Sequence, residues 1–532
     1  MADRNSPLAT RYFQVTQRSF VAESIQQRVL AHDRFQVEMK HSYRLQSDRS
    51  SQYRITTYIF LPQSLGIHGG VYTQREFYRR IQNYIRLRTP DFSLQELRTL
   101  PRSPLVQLSN TLNETGWEAD VEKRSRVITS LKFLRAILNN RLDRRLRRMN
   151  PRAGRPPQDP AAHVSAEADR LTQDVSAFVE HFRAIARRLE DVQAGDAVRL
   201  DYRLTDESIS LLLEEAYLTV YLLVDQYSAE SEKVPLQAAL TALIEQESAY
   251  RGSQGYHTQL PPNSSTEEYI FRSSALKKFT SSVLYLSASV EQEGRGLEQL
   301  LFAATAGVSM IFATVIAFYF QARFGTFTLP VFAALVLDYM FKDRIKEMGR
   351  LLSVRLLRNV LYDRRITLKT YDRSHELGYL REKVNFVAMT DIPEGVRELR
   401  RQGQATGLVG DGLEESVIGY TKSITLFPQK FERIYPGGPP LTGVSDILRL
   451  DIRPFLHKMA DPVQRKPMLR QGKIELVRFK KNYHIHLVSV IQENRNDKPR
   501  YVSSLLTLNR KGIVRVESLP SGSPDAAESD RL

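Results

Sequence analysis

Leu300–Phe320 reads LLFAATAGVSMIFATVIAFYF, 21 residues without a single charge. As a helix rising 1.5 Å per residue this is about 31 Å long, matching the roughly 30 Å of hydrocarbon in a bilayer. Apolar runs of this length are rare in soluble cores, so the stretch reads as a membrane span. After the break Gln321-Ala322-Arg323-Phe324-Gly325-Thr326, a second run follows from Phe327 to Phe341 (FTLPVFAALVLDYMF), interrupted only by Asp338. Six residues suffice only for a tight turn, so the two runs predict an antiparallel transmembrane hairpin over 300–341 with both flanks on one side. Ile209–Val224 (ISLLLEEAYLTVYLLV) is also strongly apolar, but Glu214 and Glu215 stand in its middle, which marks a soluble core helix.

Charge around the hairpin sets its expected orientation. Lys342, Arg344, Lys346, Arg350, Arg355 and Arg358 follow the second run, whereas the turn carries Arg323 alone. Cytoplasmic loops are enriched in Lys and Arg, so both flanks are expected in the cytoplasm. Each such cation beside a membrane attracts anionic headgroups by about 1 kcal/mol. Asp338 lies four residues, about 6 Å, from Lys342 and reads as an interfacial residue. Were it central instead, it would suggest an ion path. Ala303 with Gly307, and Ala313 with Ala317, place small residues four apart, a spacing that lets helices approach closely within the hairpin or between copies of the chain. Two-helix metal-ion channels end their first span in Gly-Met-Asn; here Tyr319-Phe320-Gln321 stands instead, so that likeness fails. Met1–Phe20 is polar and has no signal-peptide h-region, which leaves insertion to the hairpin.

The remainder of the 532 residues is ordinary in composition, 42% hydrophobic and 26% charged, which excludes wholesale disorder and a many-pass membrane protein. The absence of cysteine removes disulfides, thiolate nucleophiles and Cys-ligated metal sites. A net charge of +16 favours partners of negative sign. It is unevenly spread, at +13 over 1–150, −9 over 151–300 and +12 thereafter. The acidic block either docks on its basic neighbours or meets an external partner.

The expected fold class is an α+β multidomain membrane protein. It comprises a basic α/β region over 1–150, an acidic helical region over 160–299, the hairpin over 300–341, a basic helix followed by a β-rich cytoplasmic domain over 342–517, and a disordered tail over 518–532. Arg34–Leu45 and Tyr53–Leu61 alternate apolar with polar residues and predict a β-hairpin. From Thr73 the pattern turns helical, ending in a long helix over Glu118–Met149 with five arginines from Arg141 to Arg148. These suit a helix C-terminus, and no aromatics are interleaved for stacking on bases, so nucleic acid is not the expected partner. Asn150–Pro160 reads as a linker, followed by helices over Ala161–Val192, Glu207–Gln226 and Leu236–Tyr250, then a break over Arg251–Ser265. From Thr266 a helical pattern runs to the first span, with Gly294 and Gly296 permitting a kink. Strands are expected at Arg365–Leu368, Lys383–Ala388, Ser416–Leu426, Lys473–Phe479, Tyr483–Ile491, Tyr501–Leu508 and Ile513–Val516.

Motifs for chemistry are sparse. His484 and His486 alternate along one strand and share a face, which makes them weak candidates for metal binding. Glu493 is too far along the chain to complete a cupin-like set, and His457 would have to join from elsewhere. Gly407-Leu408-Val409-Gly410-Asp411-Gly412 lacks the Lys-Ser/Thr of a P-loop, and no Gly-x-Ser-x-Gly elbow occurs. No cofactor is implied. The expected function is binding, scaffolding or signalling by a protein anchored in the cytoplasmic membrane, with lipid headgroups, a protein partner and further copies of the chain as its partners. The alternatives are a transporter of oligomerised hairpins with Asp338 on its path, and a tethered enzyme in the β-rich domain.

Overall fold

The alternating stretches do become strands, but their partners lie far away in the chain. The computed structural model describes residues 25–46, 50–151, 158–191, 195–258, 266–325, 328–371, 373–402, 415–493 and 497–519. Strands β1 (Ile25–Ala31) and β2 (Gln36–Arg44) form an antiparallel pair. β3 (Ser51–Pro62) does not join them, so the expected hairpin of 34–45 with 53–61 is not formed. β2 and β4 (Ile81–Leu87) flank β9 (Gly443–Asp451) in a four-stranded sheet of order β1-β2-β9-β4. β3 lies at the centre of an eight-stranded sheet, between β8 (Glu415–Leu426) and β12 (Tyr483–Gln492).

The physical reason is burial. Val37, Met39, His41 and Tyr43 on β2 and Tyr53, Ile55, Thr57 and Ile59 on β3 are all buried. In a lone hairpin these residues would lie on one uncovered face, whereas here they meet across a sandwich. The Tyr43 and Tyr53 rings are 5.3 Å apart, and the Tyr53 hydroxyl donates to the Arg44 carbonyl where the chain crosses from one sheet to the other.

The large sheet runs β14-β13-β12-β3-β8-β7-β6-β5, antiparallel throughout. Its remaining members are β5 (Ser287–Glu291), β6 (Arg364–Lys369), β7 (Glu376–Val387), β13 (Arg500–Asn509) and β14 (Gly512–Ser518). The molecule is thus α+β with a β-rich C-terminal region, and N-terminal and C-terminal strands share both sheets. β10 (Val463–Arg470) and β11 (Lys473–Lys480) make a separate two-stranded ribbon, exposed along almost its whole length.

Helices cover one side of the sandwich. α1 (Gln74–Arg80) is closed by a Thr73–Glu76 capping box and leads directly into β4, which corrects the helical reading of that stretch. α2 (Leu94–Thr99) and α3 (Pro104–Asn113) precede the long α4 (Val121–Met149). α5 (Pro160–Asp191), α6 (Asp196–Tyr227), α7 (Glu230–Ser253) and α8 (Thr266–Ser281) complete the layer. One apolar core joins them to the sheets, with Phe133, Phe178, Phe182 and Leu213 from the helices beside Tyr53, Leu380 and Ile424 from the strands.

The acidic block docks internally. Arg145 of α4 pairs with Asp174 at 2.6 Å and Glu167 at 3.4 Å on α5. Glu214 is held by Arg251, and the buried Glu207 by Arg272, so the acids inside α6 are neutralised by the helices around it.

Between α8 and the first apolar run the helix is not continuous. β5 intervenes and pairs with β6 at the edge of the large sheet. α9 (Arg295–Phe324) then leaves that edge, and α10 (Leu329–Val360) returns to it. Gly294 precedes α9 at φ +81, and a Cβ there would stand 2.2 Å from Leu361 Cδ1. Glycine is needed both for the backbone angle and for the close approach of the two chain ends. The Met1–Phe20 segment, the Gly407–Gly412 loop and the tail from Pro520 lie outside the described residues.

Candidate functional site

Two features converge on the β5–β6 edge: the helical arm of α9 and α10, and the solvent face of the large sheet at the arm's root. In the arm the register is fixed by side chains. Thr305 abuts Gly349, where a Cβ would stand 2.8 Å from Thr305 Cγ2, and the Arg350 guanidinium lies 5.0 Å from the centre of the Phe302 ring.

Seven residues further out, about 10 Å along each helix, Lys342 comes level with Phe312, in the middle of the first apolar run. Arg344 and Lys346 come level with Met310 and Val308. A bilayer enclosing all of 300–320 would therefore also enclose Lys342, Arg344, Lys346 and Arg350, at about 2.5–3.5 kcal/mol each. Among the described residues, only α9 is long and apolar enough to cross a membrane, with a mean hydropathy of 2.2 over its best stretch. The expected second full-length span is not confirmed. From Phe312 and Phe341 outward, about 20 Å, Arg323 and Asp338 are the only charged residues among the described residues of the arm.

Asp338 lies on the α10 face turned towards α9. It is 7% exposed, on the same side as Val331 and Ala334, and its Oδ1 has no hydrogen-bond partner among the described residues. Lys342 lies 4.3 Å from the centre of the Tyr339 ring, while Arg344, Lys346 and Arg350 are exposed. Arg323 is exposed in the last turn of α9. The two small-residue pairs separate: Ala313 is buried in the arm, whereas Ala303 and Gly307 are exposed.

At the root, cross-strand register sets up a row that no single segment of sequence contains. Arg365 of β6 stands opposite Arg381 of β7, Arg381 opposite Ser423 of β8, Ser423 opposite Arg54 of β3, and Arg54 opposite Gln492 of β12. These side chains share the face turned away from the sandwich core, because Glu382, Lys422 and Ile55, one residue on, are buried on the other. The row borders a groove of about 330 Å³ lined by Gln52, Arg54, Tyr379, Arg381, Ser423 and Thr425. Tyr379 supports the cations, with Arg365 4.1 Å and Arg381 5.9 Å from its ring centre. Arg381 also pairs with Glu293, just before α9, at 3.3 Å.

Directly beneath, the inner face holds a neutralised network. Glu382, fully buried, accepts from Arg364 at 2.5 Å, from Tyr420 at 2.6 Å and from Asn83 at 2.7 Å. Lys422 lies 2.6 Å from Asp446 and 3.6 Å from Glu382. Burial alone would raise the Glu382 carboxyl, but Lys422 and Arg364 outweigh it and hold the group below the usual carboxylate range. Burial lifts Asp446 above that range, against the pull of Lys422. His41, opposite Asp446 on β2, is pushed down to about 3, first by burial and then by the Lys422 charge.

His484 and His486 share a face of β12, as alternation requires, but only His484 is exposed. His486 lies in the region packed by α11 (Glu394–Gln402), and burial, with the Arg400 charge, pushes it down to about 3. His457 is exposed after the short Arg453–Leu456 helix. Among the described residues no group of three or more His, Asp or Glu is arranged to hold a metal.

Sequence reading missed Arg54, Arg365, Arg381 and Tyr379. Its one signal was an arginine at a solvent position of each strand, and nothing in the sequence says that these strands are neighbours. Comparison with protein families, with curated proteins and with solved structures finds no match to this chain.

Proposed function

We propose that this protein is anchored in a membrane by the α9–α10 arm and presents its sheet-and-helix body on the cytoplasmic side as a binding or scaffolding platform. The observation that carries the reading is α9: only 11% of its most apolar stretch is buried by the rest of the protein, and Val308, Ile311, Val315 and Phe318 are each about 60% exposed or more. So much uncovered apolar surface marks an interaction with lipid or protein, and around the tip it faces outward from both helices. Lys342, Arg344, Lys346 and Arg350 then lie at the headgroups, where cations are favourable. Arg323 extends towards the opposite surface, and a bilayer thinned around the short apolar section accommodates the difference.

The full chain is expected to stay in the membrane pellet through alkaline carbonate extraction. Val315→Asp with Phe318→Arg, two charges costing about 2.5–3.5 kcal/mol each near the centre of the apolar section, should move it to the supernatant. Recovery of the unaltered protein as a soluble species would overturn the reading. The absence of cysteine allows a second check. A lone Cys in place of Arg323 should react with a membrane-impermeant maleimide on intact cells, whereas a lone Cys at the exposed His457 should not.

A further inference from the structure

The inner and outer faces of the large sheet treat charge differently at the same level. On the inner face Arg364 and Lys422 are matched by Glu382 and Asp446. On the outer face three arginines, Arg365, Arg381 and Arg54, lie within one row that spans four strands, about 14 Å at normal strand spacing. Arg365 and Arg381 are directly opposite each other, a like-charge pairing that costs stability in a sheet. Among the described residues, the acid near them that forms an ion pair is Glu293, which holds Arg381 alone, and Arg381 Nε is buried without an acceptor. Arg54 is exposed and makes no ion pair among the described residues. Glu493 also lies on the groove wall and takes part in an interaction of its own.

From this we infer that the groove at the root of the arm binds a phosphate ester carrying hydroxyl groups, the chemistry shared by glycerophospholipid headgroups and small soluble polyol phosphates. Guanidinium groups pair with phosphate through two parallel hydrogen bonds. Arg54 and Arg381 flank Ser423, so an anion above that hydroxyl is within reach of both. Thr425 and Gln52, on the neighbouring row, offer a hydroxyl and an amide for the polyol, and Tyr379 forms the apolar side of the groove. At about 330 Å³ the groove falls at the small end of ligand sites, roughly 300–1,000 Å³. Its position beside Glu293, immediately before α9, brings it close to any headgroups that the arm meets.

The test uses the full chain in mild detergent, titrated calorimetrically with glycerol 3-phosphate, and in parallel its binding to phosphatidylcholine vesicles with and without phosphatidylglycerol. Arg54→Gln and Arg365→Gln are the variants, because neither residue forms an ion pair among the described residues, and unchanged thermal midpoints verify this. Each is expected to weaken binding about tenfold or more, the worth of one charged hydrogen bond. Loss of glycerol 3-phosphate binding in the variants identifies a soluble ligand. No response to glycerol 3-phosphate, with a preference for phosphatidylglycerol that both variants lose, identifies the lipid headgroup. A wild-type protein indifferent to both, or variants that bind as well as it does, would overturn the proposal. A protein that binds glycerol 3-phosphate yet fractionates as soluble would abandon the anchoring reading and keep this one.

Discussion

Lys422→Met is expected to lower the stability of the protein by about 3–5 kcal/mol, the cost of leaving buried charge uncompensated. Lys422 is 2% exposed and lies between Glu382 and Asp446, exposed by 0% and 1%. Without its ammonium, Arg364 is the cation left beside Glu382, and Asp446 loses the hydrogen bond it receives at 2.6 Å. Asp446 would then take up a proton or draw in water, and either response opens the space between the sheets. Urea unfolding followed by the fluorescence of Trp117, the single tryptophan, which is buried in the same core as Tyr53 and Ile424, measures the loss. Adding Asp446→Asn should recover part of it, since the orphaned charge and not the missing side chain causes most of the damage. An unchanged urea midpoint in Lys422→Met would mean that water already reaches this network.

Acid should weaken the fold well before ordinary carboxylates titrate. His41 and His486 are both held down to about 3 in the folded protein, against about 6.5 in an unfolded chain. The unfolded state therefore binds two protons that the native state refuses. The stability held by these neutral rings is complete above pH 6.5 and declines as the pH falls from 6.5 towards 3, by about 1.4 kcal/mol per unit for each histidine. Glu382 acts in the same direction at lower pH, because its depressed carboxyl contributes stability above the unfolded value and loses it as the pH falls through the folded one. Asp446, raised by burial, acts oppositely and takes up its proton in the folded state first. Urea midpoints at pH 7, 6 and 5 should fall steeply for the natural sequence and flatten for His41→Leu with His486→Leu. A double variant with the same pH slope as its parent would show that the two rings titrate normally.

Three of the strands read correctly share a cause, whereas Lys473–Phe479 was read correctly although its side chains are exposed. Ser416–Leu426, Tyr483–Ile491 and Tyr501–Leu508 were legible because each buries alternate large side chains inside a sheet, and the observed strands extend them by a residue or so. β10 was not legible, since Pro467 and three cations interrupt the pattern and its side chains are exposed. β5 was hidden for a related reason: an edge strand with one half-buried residue carries almost no periodic signal. β4 was absorbed into the helical reading because it follows α1 without an intervening turn.

What the sequence determined by itself is local. An uncharged 21-residue run forms a long helix, alternating runs form strands, glutamates inside an apolar stretch mark a soluble helix, and missing cysteines remove whole classes of chemistry. Tertiary structure decided everything that depends on which elements are neighbours. Alternation shows that β2 and β3 each have a buried face but not that those faces meet across a sandwich. Hydropathy finds the apolar runs of α9 and α10 but not the offset that sets Lys342 beside Phe312. Arg54, Arg365 and Arg381 are ordinary solvent-facing residues in sequence, separated by up to about 330 positions. They become one row only when hydrogen-bond register aligns β3, β8, β7 and β6. Register is fixed by long-range burial and pairing, and no local stretch of chain encodes it.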